Sequence, residues 1–142
     1  MSRNGTITIA HAAEGGCLCG AVRYRVEAGT GDSGYCHCRM CQRSAGAPVL
    51  AWVSIPLARF CFTKGAAKIY RSSSHAQREF CAACGTQLVF RDDKGETADI
   101  NSVTLDDPTL APPRYHIWRM SRVAWFETAD NLPRFDDRGI DP

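Results

Sequence analysis

The chain contains 142 residues and carries a formal net charge of +2. This length is enough for one domain with a buried core, spanning residues 1–142, and too short for two. No run of five or more basic residues occurs, so a nucleic-acid partner has little electrostatic support. No apolar stretch approaches the ~20 residues that cross a bilayer, so the sequence also excludes a membrane-spanning helix.

The eight cysteines are the unusual part of the composition. A secreted disulfide framework is one explanation of an even number of cysteines. Against it, the N-terminus has no apolar run of signal-peptide length, and the members of a C-x-C pair are poorly placed to bond each other. We therefore expect a protein of the reducing cytoplasm, in which the thiols serve as metal ligands.

The first predicted strand follows the cysteine pair Cys17 and Cys19. Residues 21–28 alternate strictly between apolar and charged side chains, which is typical of a half-buried strand. Residues 28–34 contain three glycines and predict a turn that leads to the next group of cysteines.

The rest of the chain also favours short strands over helices. No window shows a helical apolar period longer than about two turns, so helix is expected only near residues 40–45. Turns are predicted at 60–65 and 92–95, and strands at 48–56, 67–71, 86–91 and 97–103. The predicted fold class is mainly β: a small single domain of short antiparallel sheets with little helix.

Three cysteines with the spacing C-x-C-x-x-C lie within six residues, at Cys36, Cys38 and Cys41. Three thiolates this close together can bind one soft divalent metal ion. A tetrahedral ion with only three protein ligands keeps one position for water or substrate, which distinguishes catalytic zinc sites from structural ones. We therefore predict a catalytic zinc ion here.

Two further pairs, Cys17 with Cys19 and Cys81 with Cys84, supply the four thiolates of a closed structural zinc site. In an extended strand, side chains at i and i+2 share a face, so the first pair is expected to point at one ion from a strand. The second pair lies in a tight knuckle, where small residues and Gly85 allow backbone N–H groups to approach the sulfurs.

Several neighbouring residues have two interpretations. His37 lies between two of the cysteines and is either a fourth ligand or, pointing away in an extended backbone, a hydrogen-bonding partner of the site. His116 and Trp118 are expected in the core or an interface rather than in catalysis. Cys61, between two phenylalanines, is expected to be a small buried hydrophobe.

The order of seven cysteines, C-x-C, then C-x-C-x-x-C, then C-x-x-C-G, resembles that of the glutathione-dependent formaldehyde-activating enzyme family. The matching segments are 16–22, 36–43, 80–86, 105–108, 116–118, 121–122 and Trp125. The resemblance covers most of the chain and implies the family's small β fold with two zinc ions. It places the core at about 14–127 and an irregular tail at about 128–142.

By this resemblance, one zinc ion is structural and is bound by Cys17, Cys19, Cys81 and Cys84. The other is catalytic and is bound by Cys36, Cys38 and Cys41. The implied activity is carbon–sulfur bond chemistry, which joins the thiol of glutathione to formaldehyde as S-hydroxymethylglutathione and cleaves that adduct. The implied partners are thus a small thiol and an aldehyde, and Arg39 and Arg43 are candidates to meet a substrate carboxylate.

The sequence is also compatible with two other functions. If a fourth ligand closed the three-cysteine site, the chain would be a non-catalytic zinc-binding module for a protein partner. Thiol redox chemistry at residues 36–41 is a weaker alternative, because the sequence offers no obvious resolving arrangement.

Overall fold

The fold consists of two β-sheets that share an apolar core, as a computed structural model describes it for residues 4–137. In chain order, the strands are β1 (Thr6–Ile9), β2 (Ala13–Gly16), β3 (Arg23–Val26), β4 (Gly29–Cys36), β5 (Leu50–Pro56), β6 (Phe60–Lys64), β7 (Lys68–Arg71), β8 (Ala76–Phe80), β9 (Gln87–Asp92), β10 (Thr97–Asn101) and β11 (His116–Ile117). The helical elements are α1 (Arg39–Ala45) and short 3-10 turns at Leu57–Arg59, Ser102–Thr104, Pro108–Leu110 and Arg119–Ser121.

The larger sheet has the strand order β1-β4-β5-β10-β9-β8-β7, and its neighbouring strands are antiparallel. The short strand β11 runs parallel to β4 and pairs with its last two residues. The smaller sheet has the order β2-β3-β6. The prediction of a mainly β, single-domain fold of short antiparallel strands is therefore confirmed.

The main core lies between the two sheets and follows the period-2 pattern of their strands. In the small sheet, Tyr24 and Val26 are fully buried, while the charged side chains between them face outward. In the large sheet, Val53 and Ile55 join the same core. The other face of β5, with Trp52 and Ser54, is therefore free to line a cavity.

The prediction of a turn at residues 28–34 is wrong, because residues 29–34 belong to β4. The glycines are needed for close packing within the sheet: a Cβ on Gly34 would lie 2.9 Å from Trp52 and 3.0 Å from the backbone oxygen of Tyr115. Pairing with β1 and β5 stabilises a segment whose own composition favours a turn. Local propensity is overridden here by long-range hydrogen bonding.

The prediction of a turn at residues 60–65 also needs correction, since β6 continues to Lys64 and the chain turns only at Gly65, where φ is +68°. Cys61 is exposed rather than buried. Phe60 packs into the core, so the next residue of the strand must face outward.

The other predicted elements are found within one or two residues of their expected positions. The helix near residues 40–45 is α1, and the turn at 92–95 is closed by a hydrogen bond from Gly95 N–H to Asp92 O. Between residues 4 and 137, no helix has the length and apolar character needed to span a membrane. The core boundary near residue 127 stays a prediction, and residues 138–142 of the predicted tail lie outside the described part.

Candidate metal centres

The first centre is formed by Cys36, Cys38 and Cys41, whose sulfur atoms all lie within 4.8 Å of one another. Cys36 is the last residue of β4, and Cys38 is the N-cap of α1. The Cys38 sulfur accepts a hydrogen bond of 3.3 Å from the backbone N–H of Cys41. The strand end and the first helical turn therefore bring three sulfurs to one point.

Side chains outside the cluster fix the loop between the strand and the helix. The amide nitrogen of Gln42 donates to the backbone oxygen of His37 at 2.7 Å and to that of Ser121 at 3.1 Å. His37 itself is buried, and its ring lies against His116 with centroids 5.1 Å apart. Its nitrogens are not part of the three-sulfur group, so the ring points away from the cluster as an extended backbone requires.

The three sulfurs border a cavity of about 610 Å³. Its floor is the face of the large sheet opposite the main core, where Asp32, Ser54 and Asp99 lie side by side in register across β4, β5 and β10. Asp32 lies four residues before Cys36 in the same strand, or about 13 Å along it. The cavity thus runs from a carboxylate end to the cysteine cluster.

Aromatic side chains form much of the cavity wall. Trp52, Phe90, Tyr115 and Trp118 all line it, and the rings of Trp52 and Tyr115 pack edge to face with centroids 5.6 Å apart. Such walls exclude water and strengthen electrostatic interactions within the site.

The carboxyl of Asp99 is held in the cavity wall by neutral donors. Ser54 Oγ donates to Asp99 Oδ1 at 2.5 Å, and Thr97 Oγ1 donates to the same oxygen at 3.2 Å. Burial raises the pKa of Asp99, and the nearby Asp32 carboxylate adds to the rise. A cationic group placed beside Asp99 would offset the free-energy cost of keeping its ionised carboxylate buried.

Arg78 brings a positive charge to the cysteines. Its side chain is buried, with Nη2 3.8 Å from the sulfur of Cys41 and Nη1 donating to Ser44 Oγ at 3.2 Å. A nearby guanidinium favours the thiolate form of a cysteine. Sequence analysis missed this residue, although its position in β8, in step with buried Ala76, was a signal that the charge faces inward.

Hydrogen bonding among the three cysteines already favours one thiolate. Hydrogen bonds from Cys36 and then from Cys41 lower the pKa of Cys38. The hydrogen bond with Cys38 raises the pKa of Cys36, and the hydrogen bond with Cys41 and burial add to the rise. The donor set is therefore soft, anionic and compact, which fits a zinc ion.

The second centre contains Cys17, Cys19, Cys81 and Cys84, with all four sulfurs within 4.8 Å of one another. The sulfurs of Cys17 and Cys19 are 3.7 Å apart, and those of Cys19 and Cys81 are 3.8 Å apart. A tetrahedron of sulfurs at the usual Zn–S distance of ~2.3 Å has an edge of about 3.8 Å. The geometry therefore fits a closed four-thiolate zinc site.

The first pair of this centre lies in a turn and not in an extended strand, which corrects the expectation from the sequence. Strand β2 ends at Gly16, and the chain then reverses around Gly20, where φ is +80°. The backbone N–H of Val22 donates to Cys17 Sγ at 3.2 Å. Desolvation raises the pKa of Cys17, but the hydrogen bonds with Val22, Cys19 and Cys81 together outweigh it, and the net shift is downward.

The second pair forms the expected tight knuckle. Gly85, at φ +79°, donates its N–H to Cys81 O at 2.8 Å. Thr86 joins the two knuckles, because its hydroxyl lies 3.2 Å from Cys84 Sγ and accepts the N–H of Leu18 at 3.1 Å. The hydrogen bond from Thr86 lowers the pKa of Cys84 to about 5. One cysteine in each half of this centre thus has a lowered pKa, which favours its thiolate form as a metal ligand.

The remaining candidates are distributed as follows. Arg39 lines the cavity and donates to Gln42 Oε1 at 2.5 Å. Arg43 is exposed and borders a separate surface hollow. His116 is fully buried behind the cluster, whereas Trp118 lines the cavity with a left-handed backbone, φ 57°. The structure therefore brings Arg39, but not Arg43, to the cavity.

Comparisons with known proteins give consistent matches. The sequence profile of the glutathione-dependent formaldehyde-activating enzyme family matches residues 12–121. A protein of Schizosaccharomyces pombe named an uncharacterized lyase is 34% identical over 77 residues, which cover 54% of this chain and 56% of that protein. The match thus spans little more than half the length of the yeast protein.

A solved structure has a similar fold. The crystal structure of a Rhodobacter sphaeroides protein superposes with a TM-score of 0.56 and 26% sequence identity. The superposition covers 66% of this chain and 87% of the other.

Proposed function

Because the chain belongs to the glutathione-dependent formaldehyde-activating enzyme family, we propose that it is a zinc-dependent carbon–sulfur lyase. Its reaction is the formation or cleavage of an adduct between a thiol and a small aldehyde, such as S-hydroxymethylglutathione. The family match and the name of the yeast relative support a lyase. The cleavage of a carbon–sulfur bond and the identity of the substrates are our proposal and go further than these two matches.

One observation carries the proposal: three cysteines form a ligand group at the wall of a cavity of about 610 Å³. Among residues 4–137, no histidine, carboxylate or further cysteine joins that group. A site with three protein ligands and access to a cavity is the arrangement of a catalytic metal centre.

The reaction balances without a further reactant. In the forward direction, the thiol sulfur bonds to the aldehyde carbon, and the thiol proton ends on the former carbonyl oxygen. In reverse, the carbon–sulfur bond breaks, the hydroxyl proton passes to the departing sulfur, and the aldehyde and thiol are released. A bound zinc ion would supply an open coordination position that favours the thiolate form of a thiol and polarises an aldehyde oxygen.

The chain's own side chains orient the substrate in this scheme. Arg78 and Arg39 bring positive charge to the cysteine end of the cavity, where a substrate carboxylate can pair with them. Asp99 and Asp32 provide negative charge at the far end. This distribution suits a thiol that carries both carboxylate and ammonium groups, as glutathione does.

The four-cysteine centre has a different role in the proposal. It joins residues 62 positions apart, at Cys19 and Cys81, so a zinc ion there stabilises the fold. The proposed content is two zinc ions per chain. Seven thiols kept available for metal binding suit a reducing compartment such as the cytoplasm.

The test is a turnover screen with pairs of thiols and aldehydes, followed by isotope-resolved exchange between free thiol and adduct. We expect activity with glutathione and formaldehyde and none after Cys38→Ser. Cys61→Ser is the matched control, because Cys61 is exposed and lies outside both clusters. Loss of activity in both variants, or in neither, would contradict the proposed site.

A non-catalytic zinc module is the alternative outcome of the same screen. It would apply if no thiol and aldehyde pair reacts, while the three-cysteine centre binds its zinc ion with no position open to a thiol.

A further inference from the structure

A chain of hydrogen bonds behind the three-cysteine centre is not explained by the proposed reaction. His37 Nε2 lies 2.8 Å from His116 Nδ1. His116 Nε2 in turn lies 3.0 Å and 3.3 Å from the two carboxylate oxygens of Asp130. Both histidines are fully buried. These hydrogen bonds therefore connect Asp130 to His37, the one residue that separates Cys36 from Cys38.

The donors around Asp130 determine the direction of these hydrogen bonds. Asp130 Oδ1 accepts from Leu132 N–H at 3.0 Å and from Arg134 Nη1 at 3.2 Å, so it is an ionised acceptor. His116 must then donate through Nε2–H. Burial lowers the pKa of His116 and so favours the neutral ring, whose Nδ1 is an acceptor. His37 consequently donates through Nε2–H. Its Nδ1 has no hydrogen-bond partner among the described residues.

The backbone holds these side chains in place. His116 pairs with Tyr35 in the parallel ladder of β11 with β4, and the N–H of His37 donates to Ile117 O at 3.1 Å. On the other side of β11, His116 N–H donates to Pro133 O at 2.9 Å, and Phe135 N–H donates to His116 O at 2.9 Å. The C-terminal segment is therefore hydrogen-bonded to the outer edge of β11.

Ion pairs attach the same segment to the rest of the domain. Arg119 binds Glu127 with both terminal nitrogens, at 3.1 Å and 3.0 Å. Arg134 pairs with Asp130 at 3.2 Å and lies 3.7 Å from Glu127. These contacts fix Asp130 relative to β11, although it lies beyond the region that matches the family profile, residues 12–121.

We propose that Asp130, acting through His116, is a positioning residue for the three-cysteine centre. The carboxylate fixes the tautomer and orientation of His116, and His116 fixes the ring of His37. Because His37 is the single residue between Cys36 and Cys38, its ring sets the geometry with which these two sulfurs face one ion. Residues 128–135 then help to position the metal ligands of the three-cysteine centre. This inference rests on the proposed metal binding there.

The experiment compares zinc affinity at the two centres of the same molecule by chelator competition. Hydrogen-bonding partners behind metal ligands typically contribute about 10- to 100-fold in affinity. We therefore expect Asp130→Ala to weaken the three-cysteine centre by about 10- to 100-fold and to leave the four-cysteine centre unchanged. Asp136→Ala is the matched control, since Asp136 is exposed and takes no part in the hydrogen-bond chain.

A conservative variant separates positioning from charge. Asp130→Asn keeps an oxygen that can accept from His116 Nε2–H, so it should restore most of the affinity that Asp130→Ala loses. Nitrogen-15 NMR of the histidine rings gives an independent readout. It should show the proton on Nε2 of both His37 and His116 in the wild-type protein.

Three results would overturn the inference. They are an unchanged affinity in Asp130→Ala, an equal loss at both centres, and a proton on Nδ1 of His37. A wild-type chain that binds only one ion, at the four-cysteine centre, would instead overturn the proposed function and this inference together. If the inference alone fails, the wild type and Asp130→Ala will each bind two ions, and the zinc affinity of the three-cysteine centre will be the same in both proteins.

Discussion

The guanidinium of Arg78 lies 3.8 Å from the sulfur of Cys41, although the two residues are 37 positions apart in the chain. The pairing places a buried positive charge beside a cluster of thiols that is otherwise anionic when it binds a metal ion. Arg78 also stacks over Phe90, 5.1 Å from its ring centroid. The strand β8 thus contributes an electrostatic element to a centre whose sulfurs come from β4 and α1.

We predict that Arg78→Met reduces kcat/KM for adduct formation by roughly tenfold or more, the size of a hydrogen bond to a charged group. Methionine keeps much of the apolar contact with Phe90 but removes the charge beside Cys41. Arg43→Met removes an exposed charge outside the cavity and should leave kcat/KM unchanged. Equal rates for Arg78→Met and the wild type would show that the charge plays no part.

The second prediction concerns the stability of the two centres. Cys84→Ser should lower the melting temperature by about 10 °C or more, because the ion at that centre joins distant parts of the chain. Cys38→Ser should change it by no more than about 3 °C, because the three-cysteine ion closes only a short loop. Thermal unfolding followed by circular dichroism measures both.

If Cys38→Ser unfolded the domain as severely as Cys84→Ser, the three-cysteine cluster would be structural. The zinc-module alternative would then replace the lyase. Zinc content measured on the folded fraction should be about one ion per chain for Cys38→Ser, and this value checks that the effect is local.

The third prediction follows from the raised pKa of Asp99. A carboxyl whose pKa is higher in the folded than in the unfolded state favours folding in its protonated form, so its ionised form costs stability at neutral pH. Asp99→Asn should therefore raise the melting temperature at pH 7. The increase should shrink as the pH falls through the pKa of Asp99 in the folded protein, because the wild-type carboxyl then becomes neutral as well.

The same variant should weaken the binding of substrates that carry an ammonium group. If Asp99 receives an ammonium group, Asp99→Asn should raise KM for glutathione and not for a thiol without an amino group, such as 2-mercaptoethanol. An equal change in KM for both thiols would mean that Asp99 does not distinguish them.

The sequence predicted those features that depend on local spacing. The grouping of cysteines by their C-x-C and C-x-x-C spacings anticipated which sulfurs the fold brings together. Strict alternation before Glu27 located β3, and the apolar run between prolines located β5. In each case the pattern and the element lie within the same few residues.

Features that depend on distant partners were not predictable in this way. The glycine-rich residues 29–34 form a strand only because two other strands, β1 and β5, pair with them. Asp130 is connected to the three-cysteine centre only through His116, which lies 14 positions before it. The cavity is built from one face of several strands whose order in the sheet differs from their order in the chain.

In the proposed function, the three-cysteine centre keeps one coordination position open to a substrate thiol. The most direct measurement is the absorption spectrum of the cobalt(II)-loaded protein during titration with glutathione, with Cys38→Ser, which retains only the four-cysteine centre, as the reference. We predict that the sulfur-to-cobalt charge-transfer band of the wild type grows by the contribution of one additional thiolate and saturates at one thiol per chain. A spectrum that does not change at saturating thiol, with both centres loaded, would contradict the claim.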